Sequence, residues 1–324
     1  MSKTEAVIIG ADSVARLQEI DLPEVTSTRV RVKTLVGGVS CGTESDCASG
    51  RAAYMKRPYI SGYQAVGRVV EVGSEVADFQ VGDLVVTNGG GLWGMTSLAG
   101  GSHARESVAD QKSLMKLDGE NPSLDSASYA VLAAIAYEAL WRMKIDKGGI
   151  LGVYGLGMLG QMAGRLGQIE GLKVIGINRS ASKREIAKNF GFEEVVAPNA
   201  DEIKAAVERL GGKGVNFAFD TTGNQEIFDL ALQTLASHGE ISLDGYYPDK
   251  FVVNFDICHQ KNASIHNPVG PGQRLPEIVR LISSGALNVE PLISHRVKPS
   301  GITEFFADLI ANHGSYLGAV IDWE

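Results

Sequence analysis

The feature that most constrains this chain is a glycine-rich turn between an apolar run and a helix-like segment. The turn reads Gly155-Leu156-Gly157-Met158-Leu159-Gly160, and it joins the strand-like residues 149–154 to a segment that begins at Gln161. In this arrangement the first glycine permits a tight turn, the second lets the backbone approach a phosphate, and the third lets helix and strand pack closely. The helix N-terminus also offers free N–H groups to an anion. The pattern predicts a cradle for a dinucleotide pyrophosphate, with an ordinary tight turn as the alternative.

The residues after the next strand indicate which dinucleotide is bound. The strand predicted at 172–177 ends at Asn178, Arg179 and Ser180, and Lys183 follows. NAD sites normally place an acidic residue here, and a carboxylate about 4 Å from a 2′-phosphate would be repelled by roughly 4 kcal/mol. An arginine instead grips a phosphate through two parallel hydrogen bonds. The sequence therefore predicts NADP(H), with the alternative that Arg179 and Lys183 are solvated cations at a helix start.

The chain shows two patterns of predicted secondary structure. Residues from about 5 to 110 read as short strands with polar–apolar alternation, which is typical of half-buried antiparallel strands. From about residue 124 strands alternate with helices, which indicates an α/β fold with a parallel sheet. The strands predicted there are 149–154, 172–177, 193–196, 215–219, 239–243 and 262–266, and the helices are 181–190, 200–209, 225–236, 275–283 and 302–311. A strand-like tail at 318–323 resembles the first pattern, so we expect domains at 1–123 and 124–267, with 268–324 returning to the first.

Charge and cysteine content narrow the class of partner. The formal net charge of −8 argues against nucleic acid or an anionic membrane surface as the main partner. Three cysteines are too few for a disulfide framework or a four-cysteine zinc site within one chain. The N-terminus lacks the apolar core of a signal peptide, and no uncharged apolar stretch reaches membrane-spanning length. A cytoplasmic location is expected.

Four stretches together resemble the medium-chain dehydrogenase/reductase superfamily. They are Gly38–Glu44, Gly62–Gly73, Val81–Val85 and the glycine turn Gly155–Gly160, and their order and spacing are more specific than any one of them. The resemblance implies a GroES-like β-rich catalytic domain joined to a Rossmann domain with a doubly wound parallel sheet. It also implies an oxidoreductase that acts on a small-molecule substrate and forms a homodimer.

Within this superfamily the chain is most similar to the branch that contains bacteriochlorophyllide a dehydrogenase. The similarity lies in the pair Gly62-Tyr63, the segment 239–247 and the ending Ile321-Asp322-Trp323. The alternative is that the chain is similar to related enzymes of unknown substrate that have the same three features.

The resemblance also implies where zinc would bind, and the sequence departs from that pattern. Zinc-dependent members use a Cys, the His of Gly-His-Glu, often that Glu, and a later Cys or Glu. Here Cys41 stands first, Tyr63 and Gln64 replace His and Glu, and the later region 128–136 has no thiolate, imidazole or carboxylate. Catalytic zinc ordinarily needs three such ligands, and no cysteine between residues 48 and 257 can form the family's structural zinc lobe. No metal is predicted; the alternative is an unusual site drawn from Cys41, Asp46, Cys47 and His103.

Without zinc, another group must stabilise the substrate oxygen during hydride transfer. Tyr63 is the first candidate, because a phenol donates a hydrogen bond and exchanges a proton. The resemblance places it where the zinc-binding His would be, hence beside the nicotinamide. Thr43 matches the Ser or Thr that relays the alcohol proton in zinc enzymes. The alternatives are a packed aromatic ring for Tyr63 and a turn hydroxyl bonded to local backbone for Thr43.

Two further residues complete the catalytic candidates. Glu44 has the chemistry to orient a proton relay or contact the ribose, although a solvated acid is the favoured interpretation. His103 is the best placed of six histidines for acid–base work, but a surface histidine is favoured. Cys41 stands near the expected cofactor contacts and is interpreted as a small packing residue rather than a nucleophile.

Position suggests additional contacts to cofactor and substrate. Thr221, Thr222 and Gly223 follow the fourth strand of the parallel sheet and Gly245 follows the fifth, where ligands of open α/β sheets bind. Ordinary turn chemistry is the alternative for these residues. The substrate is expected in a cleft between the domains, beside a lid or pocket rim at 88–95. The aromatic residues expected to line the cleft are Tyr54, Tyr63, Trp93, Tyr246 and Tyr247, with a core position as the alternative for several of them.

Three functions remain open from the sequence. The leading hypothesis is a zinc-independent NADP(H)-dependent oxidoreductase that interconverts a secondary alcohol and a ketone. The second keeps the fold and cofactor but reduces an activated C=C or iminium bond. The third is an NADPH-binding protein without catalysis, because the glycine turn alone argues only for binding.

Overall fold

The structure is a computed structural model that describes residues 2–89, 101–119 and 122–324. The chain divides into two compact units. The first runs from the N-terminus through Leu132 and resumes at Leu275, and the second is Ala133–Arg274. The sequence predicts these boundaries a few residues earlier, at 123/124 and 267/268.

The regular elements are numbered along the chain. The strands are β1 Lys3–Ile9, β2 Ala15–Asp21, β3 Arg29–Val39, β4 Tyr59–Ile60, β5 Gln64–Val72, β6 Leu84–Asn88, β7 Glu106–Asp110, β8 Leu114–Lys116, β9 Ile150–Tyr154, β10 Lys173–Ile177, β11 Glu194–Val196, β12 Val215–Asp220, β13 Leu235–Leu243, β14 Ser264–His266, β15 Ile293–Val297 and β16 Gly318–Asp322. The helices are α1 Cys41–Ser49, α2 Leu124–Ala127, α3 Ala130–Arg142, α4 Met158–Ile169, α5 Ala181–Asn189, α6 Ala200–Arg209, α7 Gln225–Thr234, α8 Phe255–Lys261, α9 Leu275–Ser283 and α10 Ile302–Asn312. Short 3-10 helices occur at Gln111–Ser113, Glu290–Leu292, Pro299–Gly301 and His313–Ser315.

The first unit is built on antiparallel strands. Its larger sheet has the order β15-β16-β3-β5-β6-β8, with β7 also paired to β3, and a smaller sheet has the order β2-β1-β4. The long strand β3 is central because its alternating valines, Val30 and Val32, are fully buried against Val69 and Val85. The C-terminal strand β16 pairs antiparallel with the end of β3, so the tail of the chain adds a strand beside the segment that leads into α1.

The second unit is a parallel sheet with the strand order β11-β10-β9-β12-β13-β14. This is the doubly wound order 3-2-1-4-5-6 of a Rossmann fold. The central strand β9 is buried along its whole length, as expected for a strand covered by helices on both faces. These observations confirm the predicted α/β fold class, with a doubly wound parallel sheet and a separate β-rich domain.

Several elements differ from the sequence prediction. The helix predicted at 225–236 ends at Thr234, and Leu235 already begins β13, so the strand predicted at 239–243 is too short. Helix α1 was not predicted, because its small polar residues carry little apolar periodicity. Strand β2 was not predicted because most of its side chains are at least partly exposed and it has no apolar run. Among the described residues, no helix is long and apolar enough to cross a bilayer.

Candidate active site

The glycine turn of the second unit has the geometry that its sequence predicts. It connects β9 to α4, and Gly155 has a φ of +99°, a conformation that favours glycine. A Cβ at Gly155 would lie 2.3 Å from Thr221 Oγ1, and one at Gly160 would lie 2.0 Å from the Gly155 carbonyl oxygen. Both positions therefore require glycine for close packing.

Gly157 has a different role, because the space beside it is open. A Cβ placed on Gly157 would meet no described atom within 4 Å outside its own neighbourhood. Gly157 is also the N-cap of α4 and offers no side-chain cap to the first N–H groups of the helix. The other helices that follow in this unit are capped by side chains, namely Ser180, Asn199, Asn224 and Asn254. The turn with Leu156, Met158 and Leu159 thus presents free N–H groups and room for a phosphate, which fits a dinucleotide pyrophosphate.

The end of β10 is polar and carries no carboxylate. Asn178 Oδ1 accepts a hydrogen bond from the Ser180 N–H at 2.8 Å, and Ser180 caps α5 by accepting from the Lys183 N–H. Arg184 Nη1 donates to the Asn178 and Arg179 carbonyl oxygens at 2.6 and 3.0 Å. Arg179 itself is exposed, and its guanidinium makes no hydrogen bond or ion pair with any described residue. Arg184 therefore holds the turn, and Arg179 is the cation available to an anionic ligand.

The loops after β12 and β13 meet backbone to backbone. A Cβ at Gly223 would lie 2.0 Å from the Tyr246 carbonyl oxygen, and one at Gly245 would lie 2.3 Å from the Gly223 nitrogen. The structure thus brings together the predicted residues Thr221, Thr222, Gly223 and Gly245. Tyr246 is exposed over 41% of its surface.

A buried carboxylate that sequence reasoning missed joins these two loops. Asp220 accepts hydrogen bonds from the Thr222 N–H and hydroxyl, both at 2.7 Å, and from the Tyr247 hydroxyl at 2.5 Å. Burial raises the pKa of Asp220, and these donors oppose that effect. Nearby, burial raises the pKa of Asp244 to about 7, while its hydrogen bond from Ser242 opposes the shift. The sequence feature that could have revealed the role of Asp220 is the order Asp-Thr-Thr-Gly after an apolar strand, because Asp commonly accepts a hydrogen bond from the N–H two residues later.

In the first unit, helix α1 begins at the segment that the resemblance singled out. Cys41 is its first residue, is buried, and donates through Sγ to the Val39 carbonyl oxygen at 3.7 Å. Glu44 reaches back one turn, and its Oε1 accepts a hydrogen bond from the Ser40 N–H at 3.0 Å. Thr43 is partly exposed, and its hydroxyl makes no hydrogen bond within the described part of the chain. The turn therefore presents one unengaged hydroxyl and is held by a buried carboxyl group.

His103 is fully buried, so its interpretation as a surface histidine is wrong. Its ring packs against two glycines, because a Cβ would lie 2.4 Å from His103 Cδ2 at Gly62 and 2.9 Å from it at Gly37. The ring Nε2 lies 3.3 Å from the Gly38 carbonyl oxygen, and Nδ1 lies 3.1 Å from Ser61 Oγ. The sequence feature connected with the burial of His103 is this pair of glycines, whose missing side chains leave room for an imidazole.

Glu44 is only 5% exposed, so its interpretation as a solvated acid is also wrong. Burial raises the pKa of Glu44 to about 8, and the hydrogen bond from the Ser40 N–H opposes that shift. Burial likewise lowers the pKa of His103 to about 4, opposed by its contact with the Gly38 carbonyl. Glu44 Oε2 and His103 Nδ1 are 3.4 Å apart, which would suit an ion pair. Because burial disfavours charge on both groups, the neutral pair is the form expected at pH 7.

Tyr63 lies beside this pair and is half-buried. Burial raises the pKa of its phenol, and a hydrogen bond with the Ser40 side chain opposes that effect. Tyr54 is 47% exposed, and its hydroxyl accepts from Cys47 Sγ at 3.7 Å. Trp93 and most of the predicted lid at 88–95 lie outside the described residues, so these predictions stay open.

The residues at the family's zinc positions, as the resemblance gives them, include one zinc ligand of the usual types, Cys41. Gln64 is fully buried and uses Oε1 to accept the Leu132 N–H at 2.9 Å, so it supports the backbone of α3. Among the described residues, no group of three or more His, Cys, Asp or Glu side chains could hold a metal ion. The residues that the structure does not describe are Met1, 90–100, Glu120 and Asn121, and among them only Glu120 is of these four types. The donor set in the described part of the chain does not fit a catalytic zinc.

Comparison with known protein families agrees with both units. The model of the alcohol dehydrogenase GroES-like domain matches residues 26–119, and that of the zinc-binding dehydrogenase matches residues 159–284. The chain belongs to the zinc-binding dehydrogenase superfamily. It is accordingly an oxidoreductase of the alcohol dehydrogenase type.

Individual relatives are distant but cover most of the chain. L-threonine 3-dehydrogenase of Pyrococcus horikoshii is 28% identical over 318 residues, with 88% of each chain covered. (R,R)-butanediol dehydrogenase of Bacillus subtilis is 24% identical, with 87% of this chain and 89% of the relative covered. A solved structure from Sinorhizobium meliloti, described as a zinc-binding dehydrogenase bound to NADP, has a TM-score of 0.88 at 18% identity and covers 99% of this chain and 100% of that one. At that identity the structural likeness shows the fold alone.

Proposed function

We propose that this protein is a zinc-independent, NADP(H)-dependent oxidoreductase that interconverts a secondary alcohol and a ketone. The observation that carries the proposal is Tyr63, which hydrogen-bonds the Ser40 side chain and which the family resemblance places where zinc-dependent relatives have a metal-binding His. The family's name refers to zinc, but the side chains at this position are hydrogen-bonding groups rather than metal ligands. The substrate remains open, and kinship with the bacteriochlorophyllide a dehydrogenase branch, with a bulky planar substrate, remains a prediction.

NADP(H) is favoured by two features of the second unit. Gly157 leaves open space before the uncapped N-terminus of α4, which suits the pyrophosphate. Arg179 is exposed at the end of β10, where an NAD site would carry an acid, and its guanidinium matches a 2′-phosphate. The NADP bound in the Sinorhizobium meliloti relative supports this choice.

When bound, NADP(H) supplies or accepts the hydride at its nicotinamide ring. Tyr63 donates a hydrogen bond to the substrate oxygen as negative charge develops there, and one such preorganised donor contributes about 3 kcal/mol. The hydrogen bond with the Ser40 side chain holds the Tyr63 phenol in place. The unengaged hydroxyl of Thr43 is the second donor available for holding the alcohol or moving its proton.

Coenzyme oxidation assays with matched substrates test this proposal. NADPH and NADH are each supplied with a panel of ketones and with enones of the same carbon skeleton. The proposal expects reduction of ketones, with NADPH preferred over NADH. Exclusive reduction of the enone C=C bond, or tight NADPH binding without turnover across the panel, would contradict it.

A further inference from the structure

A line of contacts in the first unit connects the buried histidine to the tyrosine of the proposed reaction. His103 Nδ1 faces Glu44 Oε2 at 3.4 Å, and Glu44 Oε1 accepts the Ser40 N–H at 3.0 Å. The Ser40 side chain then hydrogen-bonds Tyr63. That bond opposes the effect of burial on the phenol pKa. A change at Glu44 is thus transmitted to Tyr63 through a single residue.

The contacts of His103 indicate which of its ring nitrogens carries the proton. Nε2 lies 3.3 Å from the Gly38 carbonyl oxygen, which accepts hydrogen bonds and cannot donate one. Nε2 therefore carries the hydrogen, and in a neutral ring Nδ1 is the acceptor. Two groups face Nδ1, the Ser61 hydroxyl at 3.1 Å and the Glu44 carboxyl at 3.4 Å.

The surroundings of Glu44 favour a protonated carboxyl group. Its Oε2 is buried and has no hydrogen-bond partner among the described residues, and an unpaired buried charge is costly. The titratable groups that face it from α1 and from neighbouring elements are Cys47, Tyr59, Tyr63, His103 and Tyr129. Of these groups only His103 can carry a positive charge, and burial disfavours its charged form. No Lys or Arg contributes to the pKa shift of Glu44. A proton on Oε2 removes the charge and supplies a donor directed at Nδ1.

We propose that Glu44 is a positioning residue that acts as a neutral acid between His103 and Ser40 and thereby aims Tyr63 at the substrate. The inference rests on the proposed function for the role of Tyr63. Oε1 fixes the first turn of α1 through the Ser40 N–H, and protonated Oε2 holds the carboxyl against the imidazole. Ionisation of Glu44 removes the second contact and leaves the turn held from one side only.

Substitution of Glu44 separates this role from general support of the fold. Glu44→Gln keeps an acceptor for Ser40 and an N–H donor for His103, so its turnover stays within about threefold of wild type. Glu44→Ala loses both contacts, and we expect turnover to fall on the order of thirtyfold, because small misplacements of reacting groups have effects of this size. Since burial raises the pKa of Glu44 to about 8, we expect wild-type turnover to fall above about that pH and Glu44→Gln to remove the fall. The matched control is Glu138→Gln, a buried glutamate of the second unit paired with Arg142, which leaves the pH profile unchanged.

Nitrogen-15 NMR of the histidine side chains tests the pair without turnover. In the coenzyme-free protein at pH 7, the structure predicts a neutral His103 with its hydrogen on Nε2. An imidazolium, or a hydrogen on Nδ1, would overturn the proposal whether or not a ketone substrate is found. Equal turnover of Glu44→Gln and Glu44→Ala would also overturn it.

If Ser61→Ala alone changes the Nδ1 resonance, Ser61 is the donor and the role assigned to Glu44 is wrong. A wild type inactive on every ketone would instead contradict the proposed function, while the NMR result still decides the state of the pair.

Discussion

The glycine turn of the second unit and the Glu44–His103 cluster of the first both position polar groups for a ligand, but they do so in different ways. The turn does so with free N–H groups at the start of α4, within the consecutive residues Gly155–Gly160, and therefore depends on local conformation. The cluster depends on side chains from three separate segments, residues 37–44, 61–63 and 103, and therefore on long-range packing. The difference predicts that substitution of Gly157, which has open space beside it, affects coenzyme binding alone, whereas substitutions in the cluster affect turnover and the pH dependence of stability.

Tyr63→Phe has the largest expected effect, and it lies in the cluster. Loss of the hydroxyl should lower turnover about a hundredfold, which corresponds to removal of one preorganised donor worth about 3 kcal/mol. Coenzyme affinity, measured by fluorescence titration, should not change. Tyr316→Phe is the control, since it removes another phenol of the same unit, one that donates to Asp308. Unchanged turnover in Tyr63→Phe would assign the donor role to Thr43 or elsewhere.

The pH dependence of stability is the second test of the cluster. Between pH 4.5 and about 8 folded Glu44 keeps a proton that the unfolded chain has lost, so its contribution makes stability fall as pH rises. His103, with a pKa lowered from 6.5 to about 4, contributes the opposite slope below pH 6.5, and above that value only the Glu44 slope remains.

We therefore expect the free energy of unfolding of wild type, relative to Glu44→Gln, to fall by about 1.4 kcal/mol per pH unit from about pH 6.5 to 8. Denaturant unfolding at several pH values measures this difference. The comparison with Glu44→Gln is needed because burial also raises the pKa of Asp244, which adds a slope of the same sign at lower pH. Parallel curves for the two proteins would show that Glu44 is ionised throughout.

Arg179→Asp tests the coenzyme end of the comparison. It should weaken NADPH binding at least tenfold, about 1.4 kcal/mol, and NADH binding far less, because only NADPH carries the 2′-phosphate. Lys188→Asp makes the same change of charge on the exposed face of α5 and serves as the control for long-range electrostatics. Equal losses of affinity for both coenzymes would remove Arg179 from the phosphate site.

Gly157→Ala gives the smallest expected effect and separates binding from folding. Its φ of −77° suits alanine and its Cβ would meet open space, so the midpoint of thermal unfolding should change little. The same methyl group occupies room needed by a phosphate, so we expect affinity for both coenzymes to fall about fivefold to tenfold, or about 1 kcal/mol. Gly314→Ala, also without close neighbours, is the control. Unchanged affinity would mean that no phosphate approaches Gly157.

The same contrast explains what could be predicted from the sequence. The turn was predictable because its residues are consecutive; in the structure Gly155 and Gly160 are closely packed, and Gly157 borders open space. The burial of Glu44 and His103 was not predictable, because the residues around each of them show no apolar pattern that indicates a core position. Their contact depends on how the segment that carries His103 packs against Gly37 and Gly62.

The link between Asp220 and Tyr247 escaped prediction for the same reason. The two residues are 27 positions apart, and their contact exists only once β12 and β13 lie side by side. By contrast, the parallel sheet of the second unit was predictable from strand–helix alternation, and its doubly wound arrangement was an implication of the family resemblance.

Zinc analysis and turnover measured on the same chelator-treated sample test the central claim most directly. The account predicts well under one zinc per chain and a turnover number equal to that of the untreated protein. Loss of turnover on chelation, with full recovery when one equivalent of zinc is added, would contradict it.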